Sequence, residues 1–245
     1  MNMFPTKHEK LITIIIFSFI TGLVLGLITK VDAKEIFIGL ITLSAAFMGA
    51  YSAFALQNRK HERERTTAKV EAGNKAIFNL VRSYNTFLAF KKQFIDPFEN
   101  DPGKFVSIPP SIGFEGKANF DFDSLTYLFQ IGDPNILGEL SSFQAEVEAT
   151  IALILQRSHM HLNGVQPAME KSGVVDGQDI YSNQLKEILG NRLFVIMVQG
   201  TDQMIEGVNS IILNAEKLIE KLHKIHIKNY KGHIILKMQK LNNSN

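Results

Sequence analysis

Two long apolar runs open the chain, and neither contains a charged residue: Leu11–Thr29 and Ile36–Leu56. A helix needs about 20 apolar residues to cross the hydrocarbon of a bilayer. Both runs meet that length and no later stretch does. The pattern predicts two transmembrane helices, 11–29 and 36–56, joined by an external loop, 30–35, and preceded by a short tail, 1–10. A cleaved signal peptide is the competing reading of the first run, but its apolar stretch would be only about 7–15 residues. Small residues recur along each run. Ser18, Gly22 and Gly26 fall every fourth residue on the first, and Thr42, Ala45, Gly49 and Ser52 fall on one face of the second. In lipid such stripes let helix backbones approach closely. They are expected to pack the two helices together, to join several copies of the chain, or both.

Beyond residue 56 the period changes to that of amphipathic helices. Ile77, Leu80, Tyr84, Phe87 and Phe94 keep a 3–4 spacing, widened by Val81, Leu88 and Ile95, which predicts a helix over 57–95. Nothing between Leu56 and Val70 stops a helix, so it is expected to continue from the second membrane run. Residues 96–123 hold four prolines, three glycines and Phe98, Phe105, Phe114 and Phe120. They read as a loop that docks on the bundle or on a partner. Residues 124–228 return to helix. Asp123 is expected to cap a short helix, SLTYLFQ, and Asp133–Pro134 to start the next. That helix buries Leu140, Phe143, Val147, Ile151 and Ile154. In the last helix Phe194, Thr201, Val208, Ala215 and Leu222 recur every seventh residue, as do Met197, Met204, Ile211, Leu218 and Ile225. With Ile205, Ile212 and Ile219 beside them, this is the widened face of a helix inside a bundle. The fold class expected is an all-α membrane protein: an N-terminal two-helix hairpin, then a cytoplasmic helical bundle and a basic polar tail, 229–245.

Charge sets the orientation. Lys7 and Lys10 precede the first run, and Arg59, Lys60, Arg63 and Arg65 follow the second. The loop carries Lys30 and Lys34 against Asp32 and Glu35. Lysine and arginine favour the cytoplasmic side, so both termini are expected there, in a multi-pass inner-membrane protein. Arg59, Lys60, Arg63 and Arg65 are expected to meet lipid headgroups. The C-terminal lysines Lys217, Lys221, Lys224, Lys228, Lys231, Lys237 and Lys240 face only Glu216 and Glu220. With Tyr230 the one aromatic among them, they suit lipid or water better than nucleic acid.

Candidate chemistry is sparse. The chain has no cysteine, which excludes thiol nucleophiles and thiolate metal sites and fits a reducing compartment. No phosphate-binding loop, dinucleotide fingerprint, nucleophile elbow or HExxH is present. Asp121 and Asp123 form a lone DxD, a weak sign of a metal-dependent glycosyltransferase. Glu220, His223 and His226 share one helix face, but a carboxylate-bridged metal site needs a second ExxH and further carboxylates. His159 and His161 do not face each other on a helix. No ionisable residue lies inside either run, which disfavours a transporter or proton relay. The expectation is a non-enzymatic protein without metal or cofactor. An effector whose membrane helices respond to the bundle, a passive anchor or scaffold, and an enzyme with an unrecognised site remain distinct possibilities.

The layout of GLVLGLITKVDAKEIFIGL, then QNRKHERER, then a helical domain resembles that of the two-helix transmembrane effectors of bacterial retron anti-phage systems. The resemblance implies a guard arrangement. The partner would be a reverse transcriptase with its RNA–DNA hybrid, which silences the effector. Phage interference would release it to damage the inner membrane and kill the cell; the small-residue stripes are what predicts homo-oligomers.

Overall fold

The computed structural model describes residues 7–28, 32–174 and 181–238. The tail before Lys7, residues 29–31 of the expected loop and the chain beyond Met238, Lys240 included, lie outside the described residues. Every regular element among the described residues is helical. The chain forms two compact units, 1–64 and 65–245.

The first unit contains α1, Lys7–Ile28, and the start of α2, Ala33–Phe90. Asp32 opens α2: its side chain accepts from the Lys34 amide at 3.3 Å and its carbonyl from the Glu35 amide at 2.9 Å. Glu35 in the first turn suits the positive end of the helix dipole. α2 is long and apolar enough to cross a membrane; an 18-residue window of it has a mean hydropathy of 1.7 and is not buried in the protein. In α1 the corresponding apolar stretch is shorter among the described residues, Phe17–Gly26.

The second unit is built on three long helices: the remainder of α2, α6 (Ile136–Met160) and α8 (Ser182–Asn229). Four short helices connect them: α3 (Lys104–Ser107), α4 (Phe122–Leu125), α5 (Leu128–Ile131) and α7 (Gln166–Lys171). The heptad positions close on one another as the pattern requires. Ile77, Leu80 and Phe87 of α2, Leu140, Phe143, Val147 and Ile154 of α6, and Met204, Val208, Ile211, Ala215 and Leu222 of α8 form the main core. A smaller core joins Phe105, Val165, Leu185, Leu189 and Met197.

Some boundary details differ from expectation, each for a local reason. The helix expected over 57–95 is helical throughout, but its last turn changes type. α2 itself ends at Phe90 in a π turn, Lys91–Ile95, and a 3-10 turn that holds Pro97, whose ring cannot supply a helical N–H. α4 is capped by Asp121 and not by Asp123. The Asp121 carboxylate accepts from the Ser124 amide at 3.3 Å and the Ser124 hydroxyl at 2.7 Å, which also lowers its pKa. The regular turns of α6 start at Ile136, and Asp133 and Pro134 lead into them as expected: the Asp133 carboxylate accepts from the Asn135 amide at 2.9 Å, its carbonyl accepts from the Ile136 amide at 3.0 Å, and it also pairs with Lys221 at 2.8 Å. The first turns of α8 bend away at Gly190, whose φ of 72° is a left-handed conformation that favours glycine.

The segment 96–123 is packed. Phe105 and Phe120 are buried, and the Phe114 ring meets Phe87 and Phe90 at centroid distances of 5.4 and 4.8 Å. Past α8 the chain turns at 231–233, where Gly232 has φ 87°, and continues as an irregular strap to residue 238. Asn74 of α2 donates to the Ile234 carbonyl and accepts from the Leu236 amide, each at 2.9 Å, as a neighbouring strand would.

Candidate functional site

Of the two small-residue stripes, only the one on α1 lines a groove between the two helices of the first unit. A groove of about 210 Å³ is lined by Ser18, Phe19, Gly22 and Leu23 of α1 and by Ile36, Gly39, Leu40 and Leu43 of α2. Gly26 completes the α1 stripe: a Cβ there would lie 3.5 Å from Ile36 Cδ1. Thr42, Ala45, Gly49 and Ser52 do not line that groove. All four are exposed, and a Cβ at Gly49 would meet nothing within 4 Å. The Thr42 hydroxyl donates to the Ile38 carbonyl at 2.9 Å, so it adds no unsatisfied donor to that face. The collar residues Arg59, Lys60, Arg63 and Arg65 are exposed as well, and Lys60 lies 3.9 Å from Glu64.

Two polar clusters sit inside the second unit, and both continue apolar helix faces. On α6 the stripe Leu140–Phe143–Val147–Ile154 is extended by Arg157, Ser158 and His161, all buried. The Arg157 guanidinium is held by four neutral oxygens. Nη2 donates to the carbonyls of Ile108 (2.6 Å) and Phe105 (3.2 Å), Nη1 to that of Pro109 (3.4 Å), and Nε to the Thr201 hydroxyl (3.1 Å). Burial pushes its pKa down to about 10, which leaves it charged at neutral pH. Ser158 accepts from the Ser111 amide at 2.9 Å, and His161 Nε2 bonds the Val106 carbonyl at 2.8 Å. A carbonyl only accepts, so Nε2 carries the proton, and the buried Nδ1 has no partner. These three side chains tie residues 105–111 to α6.

On α8 the stripe Ala215–Leu218–Leu222 is extended by His226, which is fully buried. Its Nδ1 donates to the Leu222 carbonyl and its Nε2 accepts from the Tyr127 hydroxyl, both at 2.7 Å. Burial, with Tyr230 beside it, raises the Tyr127 pKa, so the phenol keeps its proton. The Tyr230 ring lies tilted 5.8 Å from that of His226, and Gly73 of α2 closely approaches its Nε2. Glu220, His223 and His226 therefore diverge: Glu220 pairs with Lys224 at 3.4 Å, His223 bonds the Leu236 carbonyl at 2.7 Å, and His226 points inward. No group of three metal-ligating side chains forms among the described residues.

Both buried histidines have lowered pKa values, caused first by burial; the Arg157 charge adds to this at His161 and His223 adds to it at His226. As pH falls below the unfolded value of about 6.5, the unfolded chain takes up these protons first. Stability is therefore full above that pH and is lost on moving down toward the folded pKa values, by up to about 1.4 kcal/mol per pH unit for each histidine. Urea unfolding followed by the tyrosine signal should show a lower midpoint at pH 5.5 than at 7.5. The double variant His161→Gln, His226→Asn should flatten that difference. A midpoint that stays constant in the unsubstituted chain would refute the assignment.

No sequence motif marks Arg157 or His226 as buried groups. The signal that marks them is a polar residue at the next 3–4 step of an apolar stripe. No protein-family model, characterised protein or solved structure matches this chain.

Proposed function

We propose that this chain is a non-enzymatic inner-membrane effector. Its two N-terminal helices insert as a hairpin with both termini cytoplasmic, associate with other copies, and permeabilise the membrane when a partner releases the helical bundle. The observation that supports it best is the exposure of the α2 apolar window. Phe37, Ile41, Met48, Tyr51 and Leu56 are each more than half exposed (64, 54, 68, 66 and 66%). A contiguous apolar surface of that kind needs lipid or protein to cover it. The Thr42–Ala45–Gly49–Ser52 stripe is left free of α1 and supplies a close-packing face for a second copy. The resemblance to retron effectors supplies the setting, anti-phage defence, and the restraining partner, a reverse transcriptase with its RNA–DNA hybrid.

The test is membrane potential in bacterial cells after induced expression, read with a voltage-sensitive dye. The full chain should depolarise the cell. Replacing Gly22, Gly26 and Gly49 together by Leu should abolish depolarisation at an equal level of membrane-inserted protein, because the bulky side chains hold the faces apart. Equal depolarisation by this variant would exclude clustering through these faces. A full chain that never depolarises the cell, even with phage and the neighbouring genes present, would be a passive anchor.

A further inference from the structure

We infer that the end of α8 and the strap 230–238 together form a binding surface for anionic lipid headgroups, distinct from the Arg59–Arg65 collar. The inference rests on the membrane reading above and adds a second lipid contact to it. Ile227 and Lys228 lie 3 and 4 residues after Lys224 on the face of α8 opposite buried Leu222 and His226, Lys231 follows in the turn after the helix, and all four are exposed. The strap adds Ile234, Leu236 and Lys237, also exposed; Ile234 is 88% exposed. The strap is shaped before any ligand arrives: Asn74 holds it from α2, His223 holds it from α8, and Ile235 and Met238 pack inward. Apolar side chains projecting from a fixed backbone and ringed by lysines are the pattern of an interfacial membrane contact. The apolar groups enter the headgroup boundary while the ammonium groups pair with phosphates.

A solvated tail would explain the lysines but not three large aliphatic side chains held out into water. A single-stranded nucleic-acid surface would need rings on which bases stack, and a duplex would leave the exposed aliphatic side chains without a role. Tyr230 does not offer one, since its ring packs against Tyr127 and His226. Each lysine close to an anionic surface strengthens binding about fivefold.

The chain has no cysteine, so His233→Cys gives a single labelling site at an exposed strap position. The full-length protein, labelled there with an environment-sensitive dye, is placed in nanodiscs of phosphatidylcholine with or without phosphatidylglycerol. A blue shift is expected in the anionic discs only, weakened by salt. It should be lost when Lys224, Lys228, Lys231 and Lys237 are changed together to Gln, and reduced when Ile227, Ile234 and Leu236 are changed to Ser. Protein that enters the discs but shows the same emission in both lipids would overturn the inference and leave the membrane reading intact. Protein that never enters discs would overturn the membrane reading itself. A shift produced in the zwitterionic discs by an added RNA–DNA duplex would reassign the surface to nucleic acid.

Discussion

Replacing Arg157 by Met is expected to destabilise the second unit by about 3 kcal/mol and to free residues 104–111. Two effects oppose each other. The substitution removes a buried charge, and with it the cost of stripping water from a guanidinium. It also leaves the carbonyls of Phe105, Ile108 and Pro109 and the Thr201 hydroxyl without the donors they now have. A buried carbonyl that loses its partner costs about 1–3 kcal/mol. The two buried ones, of Phe105 and Ile108, with the Thr201 hydroxyl outweigh the relief, since water cannot replace a donor that is only 3% exposed without opening the site, whereas Pro109 is exposed and its carbonyl can turn to water. Lysine should restore less than half of the loss, because one ammonium cannot span three carbonyls as the planar fork does. Urea melts give the stability, and amide exchange at Val106, Ser107 and Ile108 reports the loop. Unchanged stability in Arg157→Met would mean that the carbonyls find water and that the cage contributes little.

Gly73→Ala is expected to be destabilising by about 2–3 kcal/mol, opposite in sign to its helix propensity. In an open helix the change would favour folding by about 1 kcal/mol. Here the added Cβ would sit 1.9 Å from His226 Nε2 and 2.6 Å from two ring carbons. The ring has nowhere to go: it is fully buried and pinned on both nitrogens. Either α2 moves off α8 or the imidazole leaves and strands the Tyr127 hydroxyl. The double variant Gly73→Ala, His226→Ala separates these causes. It should be more stable than His226→Ala alone, because the clash is gone and only the propensity gain remains. Should Gly73→Ala stabilise the chain by itself, the close approach of α2 and α8 at this point would be wrong.

The helices themselves were legible because a helix face is a local property. Leu140, Phe143, Val147 and Ile154, and the heptad from Met197 to Leu222, sit three to seven residues apart, and burial follows that period. The apolar run 36–56 was legible for the same reason. Boundaries were less so. Asp121 and Asp123 offer the same carboxylate two residues apart, and only the position of Ser124 decides which one caps.

Sequence alone thus determined the all-helical class, the faces of the three long helices, the apolar N-terminal runs and the absence of thiol chemistry. Tertiary structure alone decided which polar residues go inside and what meets them. Arg157 reaches carbonyls about 50 residues earlier in the chain, Asn74 holds a strap about 160 residues later, and Gly73 closely approaches a ring on another helix. It also decided that Ser18 and Gly22 share a groove with Ile36 and Gly39, while Thr42, Ala45, Gly49 and Ser52 lie outside it. Period encodes which side of a helix is apolar. It carries no information on the rotation and height at which two helices meet, and those set every contact between distant residues.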